Sequence, residues 1–240
     1  MEHTIIIADD HPLFRAAMQA ALRQGLVNPE IHEAGSIAAL QSVLGQVPSP
    51  DLILLDLHMP GAHGLSGLIF LRGHYPEVPV AIVSASDDQQ VIRRAMQHGA
   101  NGFIPKSAPL DTLKEAIARI LDGEVWLPDN MANIATQQET PDIEQKLASL
   151  TPQQFRVLGM ISEGLLNKQI AYDLEVSEAT IKAHVTAIFK KLGVRNRTQA
   201  VIAMKELEID QPGSDSPNDS PNESPNESPN GSNNNQASDV

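Results

Sequence analysis

Leu52-Ile53-Leu54-Leu55-Asp56 is the stretch that decides the fold. A short aliphatic run without polar alternation is the signature of a strand covered on both faces, as in the middle of a parallel sheet. The carboxylate that ends it is the first sign of a site. The same grammar recurs on either side. Ile5-Ile6-Ile7-Ala8 runs into Asp9-Asp10, Val80-Ala81-Ile82-Val83 into Ser84, and Gly102-Phe103-Ile104-Pro105 into Lys106. In a parallel α/β sheet the carboxyl ends of the strands share one edge, and ligands bind in the crevice there. Polar groups far apart in sequence therefore converge on one place.

Working outward, the first 122 residues alternate strand-like and helix-like patterns. Strands are predicted near 4–8, 30–34, 52–55, 80–84 and 102–105, and helices near 12–23, 36–46, 65–75, 89–98 and 109–122. Pro12 suits a first helical turn, and Ser36 and Ser107 are candidate N-caps. The pattern predicts a five-stranded, doubly wound parallel sheet with helices on both faces. From 123 to 149 the periodicity fades and Asn, Gln, Thr and Pro accumulate, which predicts an interdomain linker. Gly123-Glu124-Val125-Trp126-Leu127-Pro128 at its start is expected to pack back on the first domain.

A small all-α domain is predicted over 150–209. Thr151-Pro152-Gln153-Gln154 has the form of a capping box with proline at the first helical position. Helices follow to about Gly164, from about 168 to 174, from the Ser177 cap to Leu192 with Gly193 as the stop, and over roughly 198–207. The tight Glu175-Val176-Ser177 step makes the middle pair a helix-turn-helix, whose second helix enters the major groove. On that helix Ile181, Val185, Ile188 and Leu192 form an apolar stripe, and Lys182, Thr186 and Lys190 form another face with Ala183 beside them. Over 210–240 a Ser-Pro-Asn-Asp/Glu repeat offers nothing to bury, and it predicts a disordered acidic tail.

Net charge is −13, which speaks against nucleic acid until the charges are located. Residues 151–209 hold eight basic and six acidic residues and form the only positive segment. Residues 210–240 hold no basic and six acidic residues. The chain has no cysteine, so disulfides and cysteine-ligated zinc are excluded. No apolar run approaches the roughly 20 residues that span a bilayer. A strand begins within the first few residues and leaves no room for a signal peptide, so the expected compartment is the cytoplasm, with no membrane partner.

The polar strand ends suit magnesium and a phosphoryl group. Mg2+ takes oxygen ligands, commonly one or two carboxylates plus phosphate oxygens. Asp10 and Asp56 supply direct carboxylates, Asp9 a water-mediated one, and the backbone carbonyl of His58 is in reach. Asp56 is the candidate nucleophile toward phosphorus, an established use of a carboxylate. Lys106 offsets charge on the transferring oxygens and Ser84 donates a hydrogen bond to one of them. His58 and His63 flank the loop after Asp56 without the spacing of a zinc site.

These residues carry a resemblance. Residues 1–122 resemble the flavodoxin-like receiver domain of bacterial two-component response regulators, through Asp9-Asp10, Asp56-Leu57-His58-Met59-Pro60-Gly61 with Gly64, Ser84-Ala85, and Gly99 to Lys106. The resemblance implies that Asp56 takes phosphate from a sensor histidine kinase. It also implies a switch in which Ser84 moves toward the phosphate and Phe103 rotates inward. Residues 151–207 resemble the LuxR-type DNA-binding domain, through Leu150-Thr151-Pro152, Glu163-Gly164, Asn167-Lys168, Thr180-Ile181-Lys182, His184-Val185 and Lys191-Leu192, with Thr186 where lysine is frequent. Together they look like a response regulator of the NarL/FixJ type. Such a protein binds double-stranded promoter DNA as a homodimer and is a transcription factor whose only chemistry is its own phosphorylation and dephosphorylation.

Lys182 and Ala183 are expected at base edges, Lys168, Thr180 and Lys190 at phosphates, and Thr186 at the DNA as a weaker phosphate or base contact than the frequent lysine. Val201, Ile202 and Met204 are expected as a pairing surface. In the unmodified protein the receiver is expected to cover the recognition helix or to prevent pairing, with the acidic tail as a competing inhibitor. Two alternatives use the same features. An aspartate-nucleophile magnesium phosphohydrolase needs a second aspartate two residues after the nucleophile, where this chain has His58. A ligand-sensing LuxR-type regulator needs an aromatic-lined pocket in place of the acidic crevice.

Overall fold

A computed structural model describes residues 2–128, 131 and 142–205. The acidic repeat of 210–240 and most of the middle of the 123–149 segment lie outside the described residues. Strands β1 (Thr4–Ala8), β2 (Glu30–Ala34), β3 (Leu52–Leu55), β4 (Val80–Ser84) and β5 (Gly102–Pro105) alternate with helices α1 (Pro12–Gly25), α2 (Ile37–Gln46), α3 (Ser66–His74), α4 (Gln89–Gln97) and α5 (Leu110–Leu121). The strands form one parallel sheet in the order β2-β1-β3-β4-β5. Strand order reverses between β1 and β3, so Asp9 and Asp56 flank the point where such sheets bind ligands.

Alternating side chains divide the core between the two faces of the sheet. Ile5, Ile7, Leu52, Leu54, Val83 and Ile104 pack against α1 and α5. Ile6, Ile53, Leu55, Ile82 and Phe103 pack against α2, α3 and α4. Ser36 caps α2 by accepting the Ala39 N–H at 3.2 Å. Ser107 does not cap α5: that helix starts after Pro109 with no side-chain cap, because Ser107 lies in the turn before it. Trp126 is buried and bridges to Gly102, as expected of the segment that folds back on the sheet.

The helical half comprises α7 (Pro152–Ser162), α8 (Asn167–Asp173), α9 (Glu178–Leu192) and α10 (Arg197–Lys205). Thr151 and Gln154 form the capping box of α7. Ser177 caps α9 and Gly193 ends it with φ 74°, a left-handed conformation that glycine adopts without strain. Arg197 ties α10 to the end of α7 by donating to the Ile161 and Leu165 carbonyls at 2.9 and 2.6 Å.

Both halves lie in one compact unit. A helix, α6 (Asp142–Ala148), stands inside the segment read as linker and packs on α3 and α9. Gly73 of α3 makes room for it, since a Cβ there would lie 2.8 Å from the Ala148 Cβ. Phe70 of α3 stacks on Phe155 of α7 with centroids 4.6 Å apart, so the α2–α4 core runs on into the helical half.

Candidate phosphoacceptor and DNA-binding sites

Sheet hydrogen bonding sets the acidic site. The Asp56 N–H donates to the Ala8 carbonyl at 2.8 Å and the Lys106 N–H to the Ser84 carbonyl at 2.7 Å. The strand ends are thereby aligned, and side chains from β1, β3 and β5 meet. Lys106 Nζ lies 2.8 Å from Asp56 Oδ2 and 2.7 Å from Asp9 Oδ2. It also lies 4.9 Å from the centre of the Phe14 ring. Burial opposes the lysine charge, but the hydrogen bonds and charges of Asp56 and Asp9 outweigh it and hold the Lys106 pKa above its ordinary value. The ammonium is therefore present at neutral pH.

Asp9 and Asp56 are each 2% exposed. Asp56 Oδ1 accepts the His58 N–H at 3.3 Å, which turns the main chain at His58 back over the carboxylate. Asp9 Oδ1 accepts the His11 N–H at 2.8 Å, and the Asp9 carbonyl accepts from Arg15 at 2.6 Å. Asp9 Oδ2, at 2.7 Å from Lys106 Nζ, and Asp10 Oδ1, at 2.6 Å from His11 Nδ1, are buried carboxylate oxygens. Buried carboxylate oxygens with acceptor capacity left over fit a hard cation, and Mg2+ suits this oxygen-donor set. Asp9, Asp10, His11 and Asp56 offer ligand atoms all within 4.8 Å of one another.

Ser84 is fully buried at the end of β4, where its Oγ accepts the Ser86 N–H at 3.2 Å. Phe103 is fully buried in β5 beside Ile82, already in the inward position. His11 is absent from the sequence-based candidates, although its adjacency to Asp10 was visible. Its Nδ1 lies 2.6 Å from Asp10 Oδ1 and 3.2 Å from Asp9 Oδ1.

On α9, Lys182, Ala183, Thr186 and Lys190 are exposed, as are Thr180 at its start and Lys168 on α8. Lys182 makes an ion pair with Glu178 at 2.9 Å, and Thr186 donates to the Lys182 carbonyl at 2.9 Å. Thr180 supplies its N–H to the Ser177 cap at 3.1 Å. Lys191 is committed elsewhere, donating to the Ser149 carbonyl and to Gln154, each at 2.8 Å.

The receiver half does not cover this face. It engages α7 instead, through the Phe70–Phe155 stack, a Gly61 N–H to Glu163 hydrogen bond at 2.8 Å, and a Gln41 to Pro152 carbonyl bond at 3.1 Å. The expected pairing surface is also narrower than the sequence indicated. Met204 is buried and Val201 packs on the core, which leaves Ile202 at 50% exposure.

A second buried polar contact was not legible in the sequence. His98, after α4, lies with its Nδ1 3.0 Å from Glu144 Oε2 of α6. Burial pushes the His98 pKa down to about 4, with the Arg94 guanidinium acting the same way. Burial raises that of Glu144, against a smaller opposing effect of Arg94.

Comparison with known proteins agrees with this architecture. Residues 5–118 match the response regulator receiver domain family, and residues 148–204 the luxR family of bacterial regulatory proteins. A glycerol metabolism activator of Pseudomonas putida is 45% identical over 215 residues, spanning 86% of this chain and 96% of that protein. The nitrate/nitrite response regulator NarL of Escherichia coli K12 is 30% identical, spanning 83% of this chain and 93% of its own length. The fold is shared with a structure of RcsB dimers bound to DNA, at a TM-score of 0.52 and 22% identity, over 86% of this chain and all of that one. Among the described residues no helix is long and apolar enough to cross a membrane.

Proposed function

Since the chain belongs to the response regulators that join a receiver domain to a LuxR-type DNA-binding domain, regulating transcription under phosphorylation control, we propose that a sensor histidine kinase phosphorylates Asp56 and thereby licenses residues 150–209 to bind promoter DNA as a dimer in the cytoplasm. One observation carries the assignment: a single ammonium, Lys106, touches both Asp9 and Asp56 at the switch point of the sheet. In the transfer an Asp56 carboxylate oxygen bonds to phosphorus while the bond from phosphorus to the kinase histidine nitrogen breaks. Lys106 balances charge on the equatorial oxygens, and the Ser84 hydroxyl donates to one of them. Asp9, Asp10, Asp56 and the His58 carbonyl are the groups to hold Mg2+, which supplies charge neutralisation and orientation of the phosphoryl oxygens.

The DNA half is then restrained by the grip on α7 and not by burial of the recognition helix. A phosphoryl group shifts such an equilibrium only by interacting differently with its two states. The loop from Asp56 to Gly61 is where that difference reaches α7, and Ser84 is the side chain to rearrange, since Phe103 is already buried. On DNA, Lys182 and Ala183 face base edges, Lys168, Thr180 and Lys190 serve the backbone, and Thr186 makes a phosphate or base contact. The phosphohydrolase alternative is disfavoured, because the relatives are transcription regulators and His58 stands where that chemistry needs an acid. The receiver match over 5–118 likewise stands in place of a ligand-sensing pocket.

The direct test is incubation with a small phosphodonor and Mg2+. One base-labile phosphoryl group per chain is expected, and none in Asp56→Asn. Labelling that survives this substitution rejects Asp56 as the acceptor.

A further inference from the structure

We propose that Phe14 is a positioning residue for phosphoryl transfer: its ring holds the Lys106 ammonium in place and so sets the rate at which Asp56 takes up phosphate. The inference rests on the reading of Asp56 as phosphoacceptor and adds to it a residue that acts through Lys106.

An ammonium is a compact charge on a flexible stem, so its neighbours decide where it stays. Two sides of Lys106 Nζ face carboxylates, Asp56 Oδ2 at 2.8 Å and Asp9 Oδ2 at 2.7 Å. The Phe14 ring stands on a further side, its centre 4.9 Å from Nζ. An aromatic face is electrically negative and attracts a cation within about 6 Å of its centre. The attraction grows as water is removed, and the Lys106 side chain is only 14% exposed.

Local structure fixes the ring independently of the lysine. Pro12 opens α1, and Phe14 stands in its first turn. Leu13 beside it is 88% exposed, whereas Phe14 packs on the core shared by α1, α5 and the sheet. Arg15 fastens the same turn by donating to the Asp9 carbonyl and to Glu33, each at 2.6 Å. The ring is thus set by α1 and the ammonium by the end of β5, and they meet at the site.

The consequence follows from what reacts. With acetyl phosphate as donor, an Asp56 oxygen bonds to phosphorus while the bond from phosphorus to the acetate oxygen breaks and acetate leaves. The Lys106 contact with Asp56 then passes to a phosphoryl oxygen. Phe14 takes no part in this exchange, so its hold on the ammonium persists while Asp56 changes.

The initial rate of labelling of the full-length protein by acetyl phosphate and Mg2+ tests this. Phe14→Leu keeps an apolar side chain without the ring, and its rate should fall about three- to tenfold, whereas Phe14→Tyr should stay within about twofold of wild type. In a Lys106→Gln background there is no cation to hold, and Phe14→Leu should cause no further loss. Thermal melting checks that each variant is folded, with Phe14→Met in place of Phe14→Leu if that one is not. Equal rates in wild type and Phe14→Leu, equal losses in Phe14→Leu and Phe14→Tyr, or the same loss from Phe14→Leu with and without Lys106 overturns the proposal. If Lys106→Gln labels too slowly to compare, the contrast between Phe14→Leu and Phe14→Tyr decides. A wild type that takes up no label overturns it together with the reading of Asp56 itself.

Discussion

The Glu163 carboxylate, just past the end of α7, accepts a hydrogen bond at 2.8 Å from the backbone N–H of Gly61, in the loop that follows Asp56. Beside it Gly159 comes so close that a Cβ would lie 2.6 Å from the Gly61 carbonyl oxygen. Gly61 itself has φ 85°, which a side chain would strain. The phosphoacceptor loop and the DNA-binding half thus meet backbone to backbone, and a rearrangement of one is felt by the other.

Glu163→Ala removes the partner of the Gly61 N–H. A hydrogen bond of this kind contributes about 1 kcal/mol, or roughly fivefold in the equilibrium it biases. The unphosphorylated variant is expected to bind operator DNA several-fold tighter than the unphosphorylated wild type in a fluorescence anisotropy titration. Unchanged affinity would remove this contact from the gating.

Phe155→Ala is expected to destabilise both halves together. The ring is fully buried and stacked on Phe70, and truncating such a side chain costs about 3–5 kcal/mol. Trp126 reports on the receiver half and far-ultraviolet dichroism on the helices. Both thermal transitions should move down. A Trp126 transition that stays in place would mean that the halves unfold independently.

DNA contacts should separate by type. Lys168→Ala and Lys190→Ala should each lower the salt slope of binding by about one and leave sequence preference intact. Lys182→Ala should cost about 1–3 kcal/mol at the specific site and relax discrimination. Its ion pair with Glu178 is exposed and worth only a few tenths of a kcal/mol, about 0.3–0.5, so DNA can displace it. Equal binding of site and random DNA by wild type and Lys182→Ala would reject this recognition face.

His98 should remain neutral through the acidic range. Its folded pKa of about 4 lies below the unfolded 6.5, so between these values the unfolded chain binds a proton that the folded chain does not. This group's contribution to stability is therefore fully present above pH 6.5 and is lost as pH falls toward 4. Glu144, with a raised pKa, works in the opposite sense near its own titration. An NMR titration of the His98 imidazole checks the sign, and a midpoint near 6.5 would contradict it.

The strands and most helices were legible because each apolar run ends at a polar residue that must stay at the sheet edge. The convergence of Asp9, Asp56 and Lys106 was legible for the same reason. Helix α6 was not: Ile143 and Leu147 are too little apolar pattern, and its support comes from α3 and α9, distant in sequence. The Gly61–Glu163 contact spans 102 positions and leaves no local trace. His11 carries no pattern of its own in the sequence, and its contacts with Asp9 and Asp10 appear only in the fold. Coverage of the recognition helix was a reasonable expectation for control, but it cannot be decided from one domain's pattern, since the docking face belongs to both halves.

Operator affinity of the full chain, measured with and without a small phosphodonor and Mg2+ in wild type and in Asp56→Asn, tests the central claim most directly. Phosphorylation-dependent tightening, with two chains per operator by sedimentation, is expected in the wild type and is expected to be absent in Asp56→Asn. An equal gain in both proteins, or no gain in wild type labelled to one phosphoryl group per chain, would contradict control of the DNA-binding half through Asp56.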